Sequence, residues 1–147
     1  MIDRPYAKAY AYERIALALM EIDGFGGAHS FNLAIDTAAL IGDDKLRAQT
    51  LWTLATRQRT SGDGPGADET MAMAESATSE IKSPFTRVWM FSEIALGHLS
   101  VGREQSAWAA FNRALAIAED ITGAWGRARA LARLASTLSE LSEYVKK

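Results

Sequence analysis

The sequence predicts an all-α chain built from repeated helical hairpins, and three observations carry that prediction. Matched residues recur in columns 40 positions apart: Phe31, Met71 and Phe111; Ala34, Ala74 and Ala114; Ile41, Ile81 and Ile121. Turn chemistry stands at the joints, in "DGFGG" at 23–27 and "SGDGPG" at 61–66, where glycine and proline interrupt regular structure. Alanine is abundant while valine and isoleucine are few, which favours helix over strand.

Seven helices follow in order. The first, over 4–22, carries Tyr12, Ile15 and Ala16 at i, i+3, i+4 spacing, with Pro5 suited to its first turn. The second, over 25–42, holds Phe31, Ala34 and Ile41. The third, over 44–61, follows a candidate N-cap at Asp43 and presents Leu51, Leu54 and Ala55. It ends at Gly62, where glycine enters the left-handed conformation at little cost. The fourth, over 66–81, holds Met71, Ala74 and Ile81 but no aromatic residue and no leucine. Between Asp63 and Glu80 stand five acids, Asp63, Asp68, Glu69, Glu75 and Glu80, against no base, so this helix is expected to be the least tightly held. The fifth, over 84–101, starts at Ser83–Pro84 and repeats the stripe as Phe91, Ile94 and Ala95, ending at Gly102. The sixth, over 104–121, holds Phe111, Ala114 and Ile121. The last, over 124–143, repeats the stripe as Leu131, Leu134 and Ala135. Its Ser136, Ser139, Glu140, Ser142 and Glu143 are expected to face water, making it a capping helix.

Short joints force neighbouring helices to run antiparallel. The hairpins thus lie at about 4–42, 44–81 and 84–121, in one domain spanning 1–147. A single hairpin cannot shield its apolar face, whereas a stack of them can, and that accounts for the recurrence.

The pattern resembles the tetratricopeptide repeat, whose signature sets Trp, Leu, Gly and Tyr on a first helix and Ala, Phe and a further Ala on a second. Phe91, Ile94, Ala95 and His98 stand in the first set and Ala107, Phe111 and Ala114 in the second. Leu51, Leu54, Ala55 and Gln58, with Ala67, Met71 and Ala74, form the preceding copy, and Leu131, Leu134, Ala135 and Leu138 a final half copy. The period is 40 rather than about 34 residues, and the signature proline late in the second helix is absent. The resemblance implies a right-handed superhelical stack, an α-solenoid, whose first helices line a concave groove for a peptide or partner helix. On that geometry the groove receives Tyr10, Glu13 and Leu17; Gln49, Trp52, Thr56 and Arg59; Trp89, Ser92, Leu96 and Leu99; and Arg129 and Ala132. Trp, Tyr and Arg are the residue types that dominate binding hot spots. Trp52 and Trp89 lie off the leucine columns, and two readings stay open: packing between repeats, or facing a ligand. The column Arg47, Arg87, Arg127 likewise reads as a basic ladder or as partners for Asp43, Asp44, Glu80, Glu119 and Asp120.

Catalysis finds no foothold. The chain has no cysteine and two histidines, His29 and His98, of which His98 falls in an inter-helix packing column. Metalloprotease, phosphate-loop and nucleophile-elbow motifs are absent. "GDGPGADE" at 62–69 lacks the ligand spacing of a calcium loop. The expectation is a non-catalytic adaptor with no cofactor and no metal, binding a protein or peptide. Self-association as a homodimer and a small ligand held between Trp52 and Trp89 are the alternatives. A net charge of −2 argues against nucleic acid, whose binders carry a basic face. No unbroken apolar run of signal-peptide or membrane-spanning type occurs, so a cytoplasmic protein without membrane contact is expected.

Overall fold

The computed structural model describes residues 4–22 and 24–146. All regular structure among them is helical: α1 (Arg4–Ile22), α2 (Gly24–Ala38), α3 (Asp44–Thr60), α4 (Gly64–Ser79), α5 (Pro84–Ser100), α6 (Glu104–Glu119) and α7 (Ala124–Val145). The chain divides into two compact units, Met1–Glu80 and Ile81–Lys147. In the first, α1 pairs with α2, α3 pairs with α4, and α3 also lies against α1 and α2. In the second, α5 pairs with α6, and α7 lies against both. Each unit thus contains a hairpin followed by a helix docked on it, a packing consistent with a helical repeat.

The recurring columns form the core. Ala34, Ala74 and Ala114 are fully buried, and Phe31, Met71 and Phe111 are buried beside them. Ile41 and Ile81 are buried too, whereas Ile121 is only half-buried. On the first helices, Leu51, Leu54 and Ala55 match Phe91, Ile94 and Ala95 in burial. Small residues let paired backbones approach closely, and the large residue one turn away fills what remains.

The helix ends follow from local chemistry. The Asp43 carboxylate accepts from the Leu46 N–H at 2.7 Å, Asp63 from Gly66 at 3.0 Å, and the Ser83 hydroxyl from Thr86 at 3.3 Å. Each satisfies a first-turn donor that the helix leaves without a partner. A Cβ at Gly66 would oblige the capping Asp63 carboxylate to shift. Gly62 and Gly102 take φ of 95° and 78°. The N–H of Gly62 reaches Arg59 O and that of Asp63 reaches Gln58 O, both at 3.0 Å. Gly102 to Leu99 and Arg103 to His98 repeat this at 2.9 Å, so both first helices close in the same Schellman turn.

Several expectations are corrected. "DGFGG" was read as a turn; Asp23 lies outside the described residues, and Gly24, Gly26 and Gly27 belong to α2. The reason is packing, since Gly27 is buried in the column of Ala67 and Ala107. Helix α2 ends at Ala38 rather than near 42 because Leu40 and Ile41 donate to Thr37 and Ala38, three residues back. That tightening drops Ile41 into the core. In α1 the buried stripe is Ala9, Glu13 and Ala16, while Ile15 is 49% exposed. In α7, Ala130, Leu134, Thr137 and Leu141 are buried, but Leu131 and Leu138 are 39% and 40% exposed and Ala135 is open. Ile15 of α1 and Leu131, Ala135 and Leu138 of α7 lie on arcs that the helices packed against them do not cover, and so stay exposed. Ser136, Ser139, Glu140 and Glu143 do face water, and Ser142 is half-buried.

Helix α4 buries Ala67, Thr70, Met71, Ala74, Ala77 and Thr78. Two of these are hydroxyl residues: Thr70 donates to Gln58 Oε1 at 2.6 Å and Thr78 to the Ala74 carbonyl at 2.7 Å. By contrast α6 buries Phe111, which meets Trp108 edge-on with centroids 5.8 Å apart. Less apolar area therefore holds α4 in place, and hydrogen exchange over 66–81 is expected to run faster than over 104–121. Equal protection would overturn that ranking. Ala114→Phe, which overpacks a fully buried column, is expected to cost about 1–3 kcal/mol in chemical denaturation; an unchanged midpoint would remove Ala114 from the helix interface.

Candidate functional site

The second unit carries a strip built by helical spacing. On α5, Phe85, Trp89 and Glu93 follow at intervals of four; on α7, so do Trp125, Arg129 and Arg133. Four-residue spacing sets each trio along one helix face, and the two faces interdigitate. The Arg129 guanidinium lies 4.7 Å from the ring centroids of both Phe85 and Trp125. One turn on, the Arg133 guanidinium lies 5.0 Å from the Trp89 centroid and pairs with the Glu93 carboxylate. The result is a ladder with two rungs, Arg129 against the Phe85 and Trp125 rings and Arg133 against the Trp89 ring. It remains open, with Trp125 73% and Trp89 50% exposed.

Its energetics do not account for its residues. A cation–π contact at an exposed position contributes roughly 0.5–1 kcal/mol, and an exposed ion pair about 0–1 kcal/mol. Neither explains two large rings left in water. Clustered exposed aromatics beside arginine are the composition of a contact surface.

The expected groove residues fall into three groups. Tyr10 and Gln49 are exposed on α1 and α3, and Trp89 and Arg129 on α5 and α7. Trp52 and Leu96 are half-buried. Glu13 and Ser92 are buried, which corrects their placement on an open face. Ser92 is fully enclosed and donates to the Val88 carbonyl at 2.8 Å. Glu13 is 3% exposed and sits 3.5 Å from the Arg57 guanidinium across the α1–α3 contact. Arg59 pairs with Asp68 within its own hairpin. Gln49, Trp89 and Arg129, which share one register position, are all exposed, whereas of Trp52, Ser92 and Ala132, three residues on, only Ala132 is exposed.

Phe85, Glu93, Trp125 and Arg133 were missed. Their signal lay in the register, since Phe85 and Trp125, Trp89 and Arg129, and Glu93 and Arg133 are each 40 residues apart. The arginine column splits. Arg47 donates to the Ile41 carbonyl at 2.6 Å and meets Asp44 at 2.9 Å and Glu80 at 2.7 Å. Among the described residues neither Arg87 nor Arg127 forms an ion pair, and the buried Arg87 Nε has no hydrogen-bond partner. His98 is buried and His29 is exposed. Among the described residues no three His, Cys, Asp or Glu are grouped to hold a metal, and no helix is long and apolar enough to cross a membrane.

Burial raises the Glu13 carboxyl above the usual range, with Arg57 and then Arg14 pulling it back. The folded chain therefore binds this proton more tightly than the unfolded chain, and stability falls as pH rises from the ordinary glutamate range through the raised value. Glu13→Gln is expected to flatten the urea midpoint from mildly acidic to neutral pH, since the exposed Arg57 stays solvated without its partner. A variant as pH-sensitive as the wild type would acquit Glu13. No protein-family model, curated protein or solved structure matches the chain, so the strip's own geometry is what bears on function.

Proposed function

We propose that this chain is a non-catalytic interaction module of the tetratricopeptide-like kind, right-handed superhelical stacking included, and that it docks a peptide or partner helix on the strip between α5 and α7. The observation that carries this is the exposure of Trp89 and Trp125 in a rank with stacked arginines. Support for the repeat comes from the 40-residue columns, the paired Schellman turns at Gly62 and Gly102, and the hairpin-plus-helix packing found in each unit. Of the expected partner residues, Trp89 and Arg129 of the second unit are kept in this proposal, and Phe85, Trp125 and Arg133 join them. The test is affinity capture with the full chain, wild type against Trp89→Ala plus Trp125→Ala. Both rings are substantially exposed, so the variant is expected to keep its helical circular dichroism and to melt within a few degrees of wild type. It is expected to lose a discrete partner that wild type retains, and equal recovery of every protein would move the surface elsewhere.

Self-association is the second reading, favoured by one observation. Leu131, Ala135 and Leu138 form an exposed apolar line on α7, off the ladder face. A second copy meeting that line would form a two-fold contact. Light scattering across a dilution series separates the readings, because a monomer at every concentration would exclude the dimer.

A further inference from the structure

We propose that Arg129 anchors an acidic segment of the partner peptide, its guanidinium edge receiving an Asp or Glu carboxylate while Trp89 and Trp125 take an apolar neighbour. This rests on the interaction-module reading and adds the partner's chemistry to it.

The inference comes from comparing two arginines one turn apart on α7. Arg133 is supplied with a carboxylate by Glu93 of α5, the residue 40 positions earlier. The residue 40 positions before Arg129 is Trp89, which offers a ring face and no acceptor. Among the described residues Arg129 forms no ion pair. Phe85 and Trp125 both lie 4.7 Å from its guanidinium carbon. Rings stacked on a guanidinium leave its in-plane N–H donors available. Those donors form a fork that matches a carboxylate with two parallel hydrogen bonds. The rings also hold the side chain in place, which reduces the ordering cost that a long arginine otherwise pays on binding. An unpaired, oriented, exposed cation beside two apolar rings is complementary to a carboxylate flanked by an apolar side chain.

A nucleic acid is the weaker occupant. Bases stack on aromatic and guanidinium planes, but the Glu93 carboxylate lies in the strip and opposes a phosphodiester chain. The chain as a whole carries a net charge of −2, without the basic field that backbone binding needs.

The experiment pans phage-displayed random dodecapeptides against the full chain, then measures the enriched peptides and a uridine dodecanucleotide by fluorescence anisotropy. The peptides are expected to share Asp or Glu beside an apolar residue. Arg129→Gln is expected to weaken them about tenfold. Arg129→Lys, which keeps the charge and loses the fork, should fall between. Glu140→Gln, which removes one exposed charge on α7 beyond the strip's last rung at Arg133, should bind as wild type. Circular dichroism and melting confirm that each variant is folded, and the lysine variant keeps the test open should the glutamine variant unfold. Enriched peptides without acids that still depend on Trp89 and Trp125 would overturn the carboxylate anchor and leave the module standing. No enrichment over bare support would overturn both. Oligonucleotide binding with the same dependence on Arg129 would replace the peptide with a nucleic acid.

Discussion

Close approach of paired helices is the constraint from which the rest follows. Ala34, Ala74 and Ala114 are each without solvent contact, and nothing larger than a methyl group stands between the helices at those points. Phe31, Met71 and Phe111 occupy the gap beside them. Because interiors are packed to crystal-like density, this pairing of a small column with a large one fixes how far each second helix slides along its first. A fixed slide makes residue number a spatial coordinate, so a side chain on one first helix faces a predictable position on the next first helix of its unit. The Glu93–Arg133 pair, 40 residues apart in sequence and joined in space, is a direct consequence.

That register converts a core requirement into a surface pattern. The interior columns of α5 and α7 are set by packing, but the faces carrying Phe85, Trp89 and Glu93 and Trp125, Arg129 and Arg133 are free of that demand. What occupies them is a ladder whose contacts are individually weak. Stability alone gives little reason to place tryptophan where it is 73% exposed, since polar residues would serve a solvated face as well. The strip is thus held by a scaffold whose packing comes from elsewhere, and its rings and guanidinium groups are kept in place without being part of the core.

How much of this was legible in the sequence depended on neighbours. At Leu51, Leu54 and Ala55 and at Phe91, Ile94 and Ala95 the apolar spacing named the buried residues, because the helices packed against α3 and α5 cover that face. The same columns misled at Ile15, Leu131 and Ala135. Periodicity reports what a helix is able to bury, while burial itself requires a neighbour on that side. The site was legible in one column and not in the next. Gln49, Trp89 and Arg129 are exposed as expected, but α5 lies between α6 and α7 and buries a wider arc, from Val88 and Met90 to Leu99, which encloses Ser92. Glu13 was misread for a similar reason, since a carboxylate at helix-surface spacing gave no sign that Arg57 of α3 would receive it in a buried position.

Polar partners proved harder to read than apolar columns, and the arginines show why. Arg47, Arg87 and Arg127 hold one register position, yet their surroundings differ by single residues. Three positions before Arg47 stands Asp44, which pairs with it; three before Arg87 stands Pro84, whose ring starts α5, and three before Arg127 stands Ala124. The apolar columns tolerate exchange of Phe for Met because burial is non-directional and scales with area. An ion pair depends on one acceptor at hydrogen-bond distance, so it appears or vanishes with one substitution. Repetition therefore transmits the fold from copy to copy and leaves each arginine's fate to its local neighbours. The same logic separates Arg133, paired with Glu93, from Arg129, which has Trp89 at the matching register position and lies against the rings of Phe85 and Trp125 instead.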